Sequence, residues 1–146
     1  MDFTEIDPVA IYAAIVSTIA LGWQILKERR ARRPQVEVKV NYALLGYPNR
    51  EPAEAAEIEA RNRGDHPIRV TSAGFNLQDD SGRTVVITWQ PPGATLPGVV
   101  GQRDSGMTYL LREELGPLDV LRPLVGWVSL STGERFHSRP RTLMRG

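Results

Sequence analysis

The chain has 146 residues, 41% of them hydrophobic, a net charge of +1 and no cysteine, which excludes a disulfide-stapled scaffold and any cysteine-based metal centre. Its charge is unevenly placed: residues 1–7 hold three acids and no base, residues 27–33 hold five bases beside Glu28, and residues 34–146 balance thirteen bases against thirteen acids. The slight basicity therefore belongs to one short cluster, and no nucleic-acid partner is expected.

Residues 9–26 contain no charge, and at 1.5 Å per residue such a helix extends about 27 Å, enough to cross a bilayer core. Asp7 is placed to cap it, Pro8 suits the first helical position, and Pro34 ends it, so the spacing predicts a transmembrane helix with a basic juxtamembrane end over 8–33, after an acidic tail over 1–7. Trp23, Lys27, Arg29, Arg30, Arg32 and Arg33 stand where an aromatic ring and snorkelling cations meet lipid headgroups. A cleavable signal peptide would carry bases before the apolar run and small residues after it, the reverse of this order. An interfacial helix would show a charged stripe, whereas Ser17, Thr18 and Gln24 form none. A buried core helix would need more β-domain surface than a chain this short offers.

Lys and Arg collect on the cytoplasmic side of a spanning helix, so the expected topology is single-pass in the cell (inner) membrane, N-terminus outside and bulk of the chain in the cytoplasm. The basic cluster also suits contact with anionic lipid. Ala10, Ala14, Thr18 and Gly22 recur every four residues and form a ridge of small side chains that suits packing against a second helix, such as another copy of the chain.

From residue 34 the period becomes two. Residues 35–42 and 56–62 alternate apolar with polar side chains and read as half-buried strands. Turn chemistry over Asn62-Arg63-Gly64-Asp65-His66-Pro67 precedes a third strand, whose inward set shifts from Ile68 and Val70 to Ala73, Phe75 and Leu77. A bulge is expected at Thr71-Ser72. Asp79-Asp80-Ser81-Gly82 suits a hairpin turn into residues 84–89, with Val85, Ile87 and Trp89 on one face. The Pro- and Gly-rich residues 90–101 read as a long surface loop. A strand over 107–111, a helical turn at 112–115, and a last hairpin from 124–130 to 135–138 complete the pattern. The sum is mainly β: seven strands in a two-sheet antiparallel sandwich over residues 34–146.

Chemistry-bearing constellations are sparse. His66 and His137 lack metal-ligand spacing to any neighbour, no nucleophile elbow or phosphate-binding loop occurs, and Glu113-Glu114 and Asp79-Asp80 are adjacent pairs whose carboxylates do not converge. No catalytic residue, metal or cofactor is expected, and the chain is not read as an enzyme.

Gly22-Trp23-Gln24 running into Arg29-Arg30, the Asn62-Arg63-Gly64 turn, Val70-Thr71-Ser72-Ala73-Gly74-Phe75, and Val128-Ser129-Leu130-Ser131-Thr132-Gly133-Glu134-Arg135 together resemble a class of uncharacterised small membrane proteins of actinobacteria and their phages. That resemblance spans nearly the whole chain. It implies one N-terminal transmembrane helix followed by an immunoglobulin-like β-sandwich, and it implies no reaction.

The expected function is a membrane-tethered, non-catalytic protein-interaction module on the cytoplasmic face, binding through an exposed strand edge or the Pro-rich loop 91–98. Two alternatives are an oligomeric structural or assembly component built through the small-residue ridge, and a phage or mobile-element membrane effector.

Overall fold

A computed structural model describes residues 7–77, 82–115 and 123–143, in two compact units, Met1–Arg33 and Pro34–Gly146. In the first unit, helix α1 (Pro8–Ala31) begins as its sequence demands: Asp7 Oδ1 accepts from the Val9 amide at 3.0 Å and Pro8 supplies a first-turn residue with no N–H to satisfy. The Arg32 amide donates to the Glu28 carbonyl and the Arg33 amide to that of Arg30, which closes the C-terminal end. With 24 residues, α1 is about 36 Å long, and it is apolar and long enough to span a membrane. None of its residues is buried.

The second unit is mainly β. Among the described residues it has eight strands, β1 (Val36–Tyr47), β2 (Arg50–Asn62), β3 (Ile68–Leu77), β4 (Thr84–Ile87), β5 (Gly98–Val100), β6 (Ser105–Leu111), β7 (Leu124–Leu130) and β8 (Arg135–His137), with a single helical turn, α2 (Arg112–Leu115). The expected count of seven is thus corrected by β5. Three residues inside the Pro- and Gly-rich loop pair with β3, Ile68 opposite Val100 and Val70 opposite Gly98, a tertiary pairing that no local periodicity announces. Every pairing is antiparallel, and the strands form two sheets: β1-β2-β6, and β4-β3-β7-β8 with β5 beside β3.

The alternation seen in sequence is what builds the core. Val38 and Val40 of β1 and Ala56, Ile58 and Ala60 of β2 turn inward to meet Val70, Ala73 and Phe75 of β3 and Leu124, Val128 and Leu130 of β7. The β3–β7 register slips between Val70 and Ser72, which is the bulge the phase change at Thr71-Ser72 requires. Close approach of the sheets needs Gly126: a Cβ there would lie 2.5 Å from Val40 Cγ2 and 3.4 Å from Ile58 Cγ1. On the opposite face of β7, Trp127 covers Gly74, donates from Nε1 to Asn76 Oδ1 at 3.0 Å and lies under the Arg135 guanidinium, 4.0 Å from the ring centroid. Strand β4 stops at Ile87, and Trp89, expected on one face with Val85 and Ile87, is half-exposed beyond the strand end. The expected Asp79-Asp80-Ser81 turn lies outside the described residues.

A second, smaller apolar cluster covers the outer face of the three-stranded sheet, where Ala55 and Tyr109 meet Ala94 of the loop. This loop is pinned down: the Thr95 and Leu96 amides both donate to the Met107 carbonyl, Pro91 and Leu96 are fully buried, and Tyr109 Oη donates to the Pro92 carbonyl at 2.6 Å. The Leu96–Pro97 peptide is cis.

Candidate functional site

Strand order decides which strand edge is open. In the three-stranded sheet β6 is flanked by residues 95–96 of the loop, whereas β1 ends the sheet on the other side. The ladder parity follows from two bonds: the Arg63 amide donates to the Gln35 carbonyl at 2.7 Å, and the Asn62 amide to the Asp104 carbonyl at 2.8 Å. Odd-numbered residues of β1 therefore direct their backbone groups toward β2, and Val36, Val38 and Val40 direct theirs away from the sheet while their side chains enter the core.

Opposite that edge, β8 and residues 138–141 form the border of the other sheet, held by Ser138 N–H to the Gly126 carbonyl and by reciprocal bonds between Leu124 and Arg141. A groove of about 710 Å³ runs between the two borders, lined by Val36–Val40, Arg63 and residues 137–141. At one end Arg141 crosses it, its Nη1 donating at 2.9 Å to both the Val40 carbonyl and Asn41 Oδ1. The groove is basic. Lys39, Arg63, Arg139 and Arg141 line it with one carboxylate, Glu37, which is held below the usual carboxylate range by its hydrogen-bonded ion pair with Arg63 and by Lys39 nearby.

Asn62 anchors the end of β2 beside this groove. Fully buried, it donates from Nδ2 to the carbonyls of His66 at 2.7 Å and Gly101 at 3.1 Å, and accepts from the Gly64 amide at 2.9 Å. The turn chemistry of residues 62–67 thus positions Arg63 through a buried side chain. A further hollow of about 440 Å³ lies between the β1–β2 hairpin and the loop, lined by Leu44, Tyr47, Trp89, Pro92, Tyr109 and neighbours.

The residues singled out in sequence fall on two units. Trp23, Lys27, Arg29 and Arg30 lie on the last turns of α1, Arg32 caps it and Arg33 follows. All are exposed. Ala10, Ala14, Thr18 and Gly22 lie at four-residue spacing on α1; Thr18 Oγ1 donates within the helix to the Ala14 carbonyl at 2.8 Å, and a Cβ on Gly22 would meet nothing within 4 Å. Val36, Val38, Arg139 and Arg141 were not singled out by sequence, because their meeting along one groove depends on strand order. His66 and His137 are exposed, and no group of three or more metal-binding side chains occurs among the described residues.

No family model matches this chain, and no curated protein matches it. Among solved structures it is similar to the Northeast Structural Genomics Consortium target SoR45, at 18% identity and a TM-score of 0.37, covering 74% of this chain and 83% of that one. It is also similar to a Bordetella pertussis target solved as a candidate ApaA protein, at 13% identity and a TM-score of 0.40, covering 73% of this chain and 88% of that one. Neither likeness carries a functional conclusion.

Proposed function

We propose that this protein is a membrane-tethered, non-catalytic interaction module: α1 crosses the cell (inner) membrane with its N-terminus outside, and the β unit, an immunoglobulin-like sandwich on this reading, meets a protein partner at the cytoplasmic face. The observation that carries the proposal is the backbone edge of β1, open among the described residues, above a groove with polar walls, a standard template for adding a strand from another chain. The helix supports the membrane half by its length, its uncharged stretch and the bases at its C-terminal end. Tethering a binding edge to a membrane raises its effective concentration toward membrane-associated partners without any new contact. The class of small actinobacterial and phage membrane proteins that the motifs resemble is consistent with this design.

Proximity labelling in the native host, with the enzyme fused after Gly146, tests the proposal. Cytoplasmic proteins enriched over an untethered control are expected. Labelling confined to proteins outside the cell membrane, or no enrichment over the control, would overturn it.

A further inference from the structure

Resting on the reading of β1 as a binding edge, we infer the chemistry of its occupant: an extended, acidic segment of a partner protein that adds to β1 as a strand beside Val36, Val38 and Val40.

Among the described strands, β4, β5 and β8 have three or four residues and β6 is flanked by the loop, so β1 is the long edge left open. Its stretch from Val36 to Val40 covers about 13 Å at 3.3 Å per residue, room for about five residues of a partner. Arg141 already occupies the Val40 carbonyl, which closes that end and leaves the outward N–H and C=O groups of Val36 and Val38 to define the register.

Charge selects the occupant. Four basic side chains line this groove against one carboxylate, and Arg139 has no ion pair among the described residues. Glu37 is ion-paired with Arg63 and Lys39, so its charge is already offset and does not bar a carboxylate opposite it. Carboxylates on the outer side of an entering strand face Lys39, and Arg139 lines the groove across from β1. A second copy of the chain docked by the same edge would bring the same groove bases against these, and like charges set against each other oppose that pairing.

The test uses the full chain in lipid nanodiscs and fluorescein-labelled octapeptides of alternating Glu and Val, with a Lys and Val counterpart and two N-methylated Glu peptides, one blocked on each backbone edge. The acidic peptide is expected to bind and to slow amide exchange at Val36 and Val38. Blocking one of its edges should abolish binding while blocking the other spares it. Arg139→Glu, an exposed change, should weaken binding about tenfold, as expected for loss of an attractive charge and gain of a repulsive one.

Equal binding of both N-methylated peptides would reduce the effect to charge attraction and overturn strand addition. If the Lys peptide protects Val36 and Val38 as well as the Glu peptide does, the acidic preference fails while β1 stands as a binding edge. Protection in the absence of peptide that grows with protein concentration would identify a second copy as the occupant and overturn the inference. If no peptide protects this edge while the fold is intact, the edge and the interaction reading both fail.

Discussion

Arg141 Nη1 lies 2.9 Å from the Val40 carbonyl, so a side chain at the border of one sheet closes a backbone acceptor at the border of the other. This bond bridges the two sheets where the groove ends. Arg141→Ala should lower stability by about 1 kcal/mol, the usual worth of one such hydrogen bond, and should speed amide exchange along β1. It also lengthens the open edge, so slow self-association of the variant at high concentration is expected by light scattering. Unchanged exchange and unchanged melting would show that the bridge contributes nothing.

Gly126 sits directly against Val40 of the other sheet, and any Cβ there must displace a core methyl 2.5 Å away. Gly126→Ala should cost about 1–3 kcal/mol, the range for overpacking a filled core. Gly22→Ala meets no atom within 4 Å and should leave the melting of the β unit unchanged. Thermal denaturation followed by Trp fluorescence compares the two directly.

Asn62 shows how much a turn signal can conceal. The Asn-Arg-Gly sequence announces a turn, but the fully buried side chain also ties residues 64, 66 and 101 together. Asn62→Ala strands these backbone groups and should cost about 2–4 kcal/mol, given the penalty for buried unsatisfied polar atoms. Urea denaturation measures that loss, and a midpoint unchanged from wild type would contradict the role.

The Tyr109 phenol is pushed above its ordinary pKa of 10.0 by burial against the loop, and its hydroxyl donates to Pro92. A raised folded-state value means that the protonated form is the one the fold retains. Stability from this group is therefore full below about pH 10 and is lost as pH climbs through the higher folded value. Tyr109→Phe should flatten that alkaline loss, which absorbance at 295 nm and melting temperature against pH both report.

Much of the fold is legible in the chain because the β unit buries one side of most strands. Val36–Val40 and Ala56–Ala60 alternate since one face meets the core and the other meets water, and the bulge at Val70/Ser72 is visible because it reverses that phase. What escapes is whatever two distant segments decide together. Strand β5 has three residues in a Pro- and Gly-rich stretch and pairs only with β3; Trp89 lies past the end of β4, which stops at Ile87. The open edge of β1 is likewise a property of strand order, and the Arg141 bridge joins residues 101 positions apart. Helix α1 is the opposite case, since its cap, proline and apolar run all lie within one local segment.

Alkaline carbonate extraction of membranes from the native host, with the chain followed by immunoblot, most directly tests whether lipid surrounds α1. A membrane-spanning α1 requires the full-length protein to remain in the pellet and to need detergent for release. Recovery of the full-length chain in the aqueous fraction as a monomer would contradict it.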